Sequence, residues 1–188
     1  MKGLTLIEVL ISMGIAVVIG VLLVAIILNS AGLYSKESSK LSEGLNTNDA
    51  LSTIRDTIKQ SSGVITAYTS NGTTYTSGGT QIVLKLFSID SSNNLISNTY
   101  DYFIFYADTN ILRLKTFPDS TSARKSQDQI FSTSLDSLNF QYFNSASPPV
   151  EIAPNIATKV RVTLSLKQKN GPSTELKTST SEAIIRND

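Results

Sequence analysis

Carboxylates are the side chains of this sequence that could most readily carry out acid–base chemistry. The chain has 188 residues, with 15 Asp and Glu against 16 Lys and Arg, and it contains no His and no Cys. Without His or Cys it cannot build the common kinds of zinc site, a thiol nucleophile, a Ser-His-Asp triad or a disulfide. Paired carboxylates can still serve as acid and base, which keeps a secreted hydrolase open as one alternative.

The spacing of the charged residues in the second half of the chain does not indicate a functional site. Four aspartates lack the spacing of a metal-binding loop, and we expect them in turns or on the surface. They are Asp90, Asp101, Asp108 and Asp119. The net charge of +1 argues against a protein built mainly to grip nucleic acid. A local basic patch at Arg124 and Lys125 stays open, although a solvated loop is the favoured interpretation.

Three tyrosines could line a binding surface, but their pattern favours packing. Tyr100, Tyr102 and Tyr106 alternate with Phe103 and Phe105. On a strand, this alternation places tyrosines and phenylalanines on opposite faces, where each set can pack. We therefore predict no cofactor, no metal and no catalytic residue in this half of the chain.

The carboxylate of Glu8 is energetically costly where it stands, at the start of a long apolar segment. It precedes a segment with no further charge until Lys36, and only Ser12 is polar within residues 9–28. As a helix, those residues would span about 30 Å, the thickness of a bilayer core. The weak positive charge ahead of the span, at Lys2 and the terminal amine, predicts a cytoplasmic N-terminus. A cleaved secretory signal ending near Ala31 is a weak alternative.

The helical pattern continues beyond the apolar segment and then changes to strands. Apolar residues return to one helical face at Leu41, Leu45, Leu51, Ile54 and Ile58. The pattern predicts one helix from residue 4 to about residue 61, with 63 as a left-handed cap, although residues 46–49 could begin a fresh helix.

Residues 63–188 predict a sheet domain of about six strands, mostly antiparallel, which the amphipathic half of the helix covers. The residues Val160, Val162, Leu164 and Leu166 should face this core. A polar stretch at 118–129 should form an exposed loop. The fold class is thus α+β. Residues 1–3 would form a leader and 4–30 a membrane-spanning or filament-core helix. Residues 31–62 would continue that helix in amphipathic form, and 63–188 would form the β domain.

The stretch KGLTLIEVLI resembles the processing site of type IV prepilins and pseudopilins. In that family a basic leader ends in Gly, followed by an apolar residue, Thr or Ser, Leu, Ile or Leu, and Glu. The corresponding residues here are Lys2, Gly3, Leu4, Thr5, Leu6, Ile7 and Glu8. The motif covers roughly residues 1–30, and the rest is similar in its pilin-like architecture. The ending IIRND resembles the larger minor pilins of the J and W kinds.

The resemblance implies processing and assembly. A prepilin peptidase would cut between Gly3 and Leu4, and the family also methylates the new terminus. The family's usual Phe is Leu4 here, so methylation stays open. Thr5 and Glu8 would serve assembly, with Glu8 binding the amine of a neighbouring subunit. Major pilins typically carry Pro at the position of Ala25, and its absence favours a minor subunit.

These expectations describe a structural subunit with no cofactor and no catalysis. It would belong to a type IV pilus for adhesion, motility or DNA uptake, or to a type II secretion pseudopilus, with a place near the filament tip. Its partners would be prepilin peptidase, the major pilin and other minor pilins, the membrane-embedded assembly platform, and lipid before assembly. It would begin in the bacterial inner or cytoplasmic membrane and end in an extracellular pilus or periplasmic pseudopilus. The alternative is a bitopic membrane protein with an extracellular adhesin or sensor domain.

Overall fold

The described part of the chain folds as one long helix followed by ten strands. A computed structural model describes residues 6–170 and 173–186, leaving out the side chains of 28–29, 31–46 and 168–170. The helix and the strands, with one short 3-10 helix, have the following bounds. They are α1 (Leu6–Gln60), β1 (Gly63–Val64), β2 (Ala67–Ser70), β3 (Thr73–Thr76), β4 (Gln81–Ile89), β5 (Leu95–Asp108), β6 (Ile111–Phe117), β7 (Gln127–Ser132), β8 (Leu135–Phe143), the 3-10 helix (Pro154–Ile156), β9 (Lys159–Asn170) and β10 (Ser173–Ile184).

Helix α1 is continuous through residues 46–49, so the polar residues there do not begin a second helix. It ends at Gln60, where the hydroxyl of Ser61 donates a hydrogen bond to the carbonyl of Ile58 at 2.6 Å. The expectation that Gly63 would cap the helix in a left-handed conformation is wrong. Gly63 begins β1 and pairs with Lys85 of β4. The side chains of Leu41 and Leu45 lie outside the described residues.

The strands form two antiparallel sheets and a hairpin, which confirms the α+β class. The larger sheet has the order β1-β4-β5-β6-β7, and the smaller has the order β10-β9-β8. Tyr142 of β8 joins the two sheets, because its hydroxyl lies 3.3 Å from the carbonyl oxygen of Gln81 in β4 and 2.9 Å from that of Gly78, just before β4. The backbone N–H of Phe140 likewise donates to the carbonyl of Gly79 at 2.7 Å.

One core lies between the last turns of α1 and the inner faces of both sheets. Helix α1 contributes Ala50, Leu51, Ile54 and Ile58, all buried. The predicted core face of β9 is confirmed, since all four of its residues are almost fully buried. These are Val160, Val162, Leu164 and Leu166. Burying an isoleucine or leucine contributes about 1.5–3 kcal/mol, so this face fixes the helix onto the domain.

The β2–β3 hairpin covers the outer face of the larger sheet. Its two-residue turn holds Asn71 and Gly72 at φ of 49° and 77°, the left-handed pair that suits a tight hairpin. Tyr75 of the hairpin packs with Val83 and Ile104 in a second, smaller core. Asn-Gly is the dipeptide that a two-residue hairpin turn of this kind favours.

Candidate functional site

The exposed half of α1 is the strongest functional feature of the described chain. Every large apolar side chain between Leu6 and Ile27 is exposed, from 46% at Val9 to 83% at Leu6. The 22 residues of this segment form a helix long and apolar enough to cross a membrane, about 33 Å along its axis. Water would solvate such a surface poorly, so the segment requires lipid or other apolar helices around it.

Glu8 lies in the first turn of the described helix and is exposed. A carboxylate at that end interacts favourably with the helix dipole. One turn further on, the hydroxyl of Ser12 donates to the carbonyl oxygen of Glu8 at 2.7 Å. This bond gives the Ser12 hydroxyl a hydrogen-bond partner within the helix. The hydroxyl therefore needs no partner from a neighbouring molecule. The predicted processing residues Gly3 and Leu4, and Thr5 beside them, lie outside the described residues.

The β domain contains a buried carboxylate that sequence analysis placed at the surface. Asp101 of β5 is fully buried. It accepts hydrogen bonds from the Ser88 hydroxyl at 2.7 Å, the Asp119 N–H at 2.9 Å, the Ser122 hydroxyl at 2.8 Å and the Arg124 guanidinium at 2.6 Å. The expectation of a turn or surface position is wrong for Asp101, because these four donors replace the water that it loses.

Arg124 is correspondingly more than a residue of a solvated loop. Besides Asp101, it donates to the carbonyl of Phe87 at 2.6 Å, and only 21% of its side chain is exposed. The pair secures the loop between β6 and β7 against the end of the β4–β5 hairpin. The polar stretch 118–129 is therefore only partly a loop, because β7 begins at Gln127 and pairs with β6.

The protonation of Asp101 follows from these contacts. Burial by itself raises the pKa of Asp101, but the hydrogen bonds from Arg124, the Asp119 backbone and the two serines together outweigh it. The pKa therefore lies below its usual range, and the group is a carboxylate at neutral pH. Such a saturated anion is a structural acceptor, since no lone pair is left directed at a substrate.

The remaining aspartates and the tyrosines hold mainly structural positions. Asp90 caps its own turn by accepting from the N–H groups of Ser92 and Asn94 at 2.8 and 2.9 Å. Tyr102 stacks on Tyr68 of the hairpin with ring centroids 4.2 Å apart. Within the described residues, no group of three or more acidic, His or Cys side chains could hold a metal ion.

A sequence signal for Asp101 did exist. The alternation along β5 places Asp101 on the same face as Phe103 and Phe105, and Phe105 is fully buried. A carboxylate in phase with core phenylalanines predicts burial and a partner. Its partner Arg124 could not be found in this way, because it lies in a loop with no periodicity.

Comparison of the chain with family models, with curated proteins and with solved structures finds no match.

Proposed function

We propose that this chain is a minor subunit of a type IV pilus or of a type II secretion pseudopilus. The observation that carries the proposal is the single helix α1, apolar and exposed over 6–27 and buried in the β domain over its last turns. Such a helix can lie in lipid as a monomer and then pack beside identical or similar helices in a filament. The β domain would form the outer surface of that filament.

The processing motif supports the same proposal. A prepilin peptidase would cut between Gly3 and Leu4, where a glycine lets the backbone enter an active site without a side chain. The cut would remove Met1, Lys2 and Gly3, and with them the charge that holds the leader in the cytoplasm. The protein would then leave the bacterial inner or cytoplasmic membrane through an assembly platform, with the β domain outside. It would perform no catalysis.

Glu8 would recruit and register the subunit during assembly. A carboxylate at mid-membrane costs about 2.5–3.5 kcal/mol on insertion scales, and less near the edge. Pairing with an amine at about 4 Å offers on the order of 4 kcal/mol in a protein-like medium, before desolvation is subtracted. The balance is small, so Glu8 favours the filament only where a neighbouring subunit provides the amine.

Mass spectrometry of the N-terminus of the natural protein tests the proposal. We expect the chain to start at Leu4, with or without a methyl group. A Gly3→Val variant should keep its leader because the added side chain obstructs the cut. The matched control is Gly14→Val, which changes a glycine within the span, where an added Cβ would have no neighbour within 4 Å.

Other starting residues would favour other functions. A chain that starts at Met1 would support the second candidate, a bitopic membrane anchor that carries an adhesin or sensor domain. That candidate uses the same observation, since the exposed apolar span would serve it equally well. A chain that starts near Gly32 would support a secreted protein. Either result would overturn the pilin proposal.

A position near the filament tip is the second part of the proposal. It rests on the size of the chain and on Ala25, where the helix continues without a break. Immunogold labelling of intact filaments should place the β domain at one end. Even labelling along the shaft would overturn the tip position and leave the pilin proposal standing.

A further inference from the structure

A polar cleft lies between the turn of the β2–β3 hairpin and the edge of the larger sheet. Its volume is about 300 Å³, and strands β6 and β7 form its far wall. This volume is at the lower end of the range for small-molecule sites. The cleft lies in the β domain, on the opposite face of the sheet from the main core.

The rim of the cleft offers hydrogen-bonding groups that can both donate and accept. Asn71 and Gln127 line it with side-chain amides, and Thr73 lines it with a hydroxyl. Both amides belong to exposed residues. Within the part of the chain that the structure describes, neither side-chain amide hydrogen-bonds another group. They are therefore available to a ligand without breaking an existing contact.

The floor of the cleft is aromatic. Tyr75 and Phe117 line it, with ring centroids 5.6 Å apart and planes inclined at 48°. Tyr75 is 8% exposed and Phe117 is half-buried, so their rings are held in place by the smaller core behind them. Most of the accessible aromatic surface therefore belongs to Phe117, which Tyr75 supports from behind, and a ring held in this way offers contact area at little cost in conformational entropy.

The charged groups of the cleft neutralise one another. The charged residues that line the cleft are Lys115 and Asp128, whose ammonium and carboxylate groups lie 3.7 Å apart. Asp128 also lies 3.1 Å from Arg113, which is outside the cleft lining. Lys115 donates a further hydrogen bond to the hydroxyl of Tyr75 at 3.2 Å, which raises the pKa of Lys115. One lining cation is therefore paired with one lining anion, and the site has no net charge to offer to a charged ligand.

A neutral saccharide matches these three features. A pyranose ring has an apolar face of C–H groups, which suits an aromatic floor, and a rim of hydroxyls, which both donate and accept. It carries no charge, so the ion pairs need not be broken. A nucleic acid strand also stacks on aromatic rings, but it gains most of its affinity from unpaired cations, which this cleft does not supply.

We propose that the cleft lined by Asn71, Thr73, Tyr75, Phe117 and Gln127 binds a neutral saccharide. This inference goes beyond the proposed function and does not depend on it, because a filament subunit and a membrane-anchored domain would both display the cleft. The shallow site and the modest number of hydrogen bonds lead us to expect a dissociation constant on the order of 1 mM.

Saturation-transfer NMR and calorimetric titration of the full chain test this proposal. The protein is held in a phosphocholine detergent, since a glucoside or maltoside would itself be a ligand. The panel contains neutral hexoses, N-acetylhexosamines and their disaccharides, with sialic acid and a single-stranded oligonucleotide as anionic comparisons. We expect binding of at least one neutral sugar and no binding of the anionic probes.

A matched pair of double variants locates the site. Asn71→Gly with Gln127→Ala removes both amides, and glycine keeps the positive φ that the turn requires. We expect affinity to fall about tenfold or more through the loss of two hydrogen bonds. The control is Asn93→Gly with Gln129→Ala. Asn93 is another asparagine with a positive φ, Gln129 is another exposed glutamine of β7, and neither residue lines the cleft.

Thermal unfolding of both double variants verifies that they are folded. No binding of any neutral sugar at ten times the expected dissociation constant would overturn the proposal. So would an equal loss of affinity in the control pair, or tighter binding of the oligonucleotide or sialic acid than of any neutral sugar. An absence of sugar binding would not affect the mass-spectrometry test of the N-terminus, so the two proposals are tested independently.

Discussion

Asp101 shows how one residue can hold a long loop in place. Its four hydrogen bonds come from β4 and from the loop between β6 and β7, so one carboxylate joins three segments. The contact with Arg124 is charge-assisted and short, which makes it the strongest of the four. Removing either partner would leave a buried group without its counter-charge.

We predict that Asp101→Asn destabilises the β domain by about 2–4 kcal/mol at neutral pH, because Arg124 loses its counter-charge. Asp90→Asn, in an exposed turn, should cost less than about 1 kcal/mol. Since folding lowers the pKa of Asp101, its contribution is full above the unfolded pKa of about 3.9 and disappears as pH falls through the folded value. Urea unfolding at pH 7 and pH 3 measures both effects, and the gap between wild type and Asp101→Asn should narrow at pH 3. A gap that does not narrow would contradict the assigned ionisation.

The single residues were the hardest part of the molecule to predict from sequence. The alternation of β5 assigns Asp101 to the core face, yet aspartate by itself suggests a turn. Arg124 lies far from Asp101 along the chain, and only the closed loop brings the two together. Contacts between side chains across an irregular loop follow no periodic pattern, so the sequence carries no signal from which such a pair can be predicted.

Helix α1 is one element with two environments. Its last turns are buried against β9 and β10, while residues 6–27 are exposed all round. Ile15 and Ile54 illustrate the contrast, since they are 56% and 0% exposed in the same helix. The same residue type therefore has two different roles within one element.

The isoleucines of the two halves should respond differently to truncation. Ile54→Ala should lower the free energy of unfolding of the β domain by about 2–5 kcal/mol, because it leaves a cavity under the helix. Ile15→Ala should leave domain stability within about 0.5 kcal/mol of wild type, because the residue touches nothing in the domain. Tryptic resistance and urea unfolding in micelles measure the two variants side by side. Equal losses would show that the apolar half contributes to the domain fold.

At the scale of elements, periodic patterns predicted the structure correctly, whereas local capping signals predicted helix boundaries that do not exist. The alternation of β9 identified its buried face because one-sided burial fixes the register of a strand. The polar residues at 46–49 and Gly63 suggested helix boundaries that the fold does not use. A capping signal is worth only about 1 kcal/mol, so it does not by itself fix a helix boundary. The helix continues through 46–49, and Gly63 pairs with Lys85 of β4 instead of capping the helix.

The whole molecule combines an apolar rod with a β domain, and sequence analysis anticipated that plan. It did not anticipate the division of the strands into two sheets. That division depends on which strands pair across long connections, such as β8 with β9. The aromatic cleft was missed for the same reason, since it forms only where the hairpin turn meets the edge of the larger sheet.

Glu8 should matter to the assembly and not to the isolated molecule. Glu8→Ala removes a charge from the edge of the span, so membrane insertion should be unchanged or improved. Incorporation into the proposed filament should fall about tenfold, because the pairing proposed between Glu8 and a neighbour's amine would be lost. Immunoblots of sheared filaments and of membranes measure the two pools, and normal incorporation would falsify the assigned role. Glu8→Asp, which keeps the charge, serves as the control.

The continuity of α1 also has a mechanical consequence. A pull on the apolar end passes along one unbroken run of backbone hydrogen bonds and reaches the domain at Ile54 and Ile58, in the middle of its core. No flexible joint absorbs the tension at residues 46–49. The domain therefore bears load through its most buried contacts, and the rod should detach only when the core itself gives way.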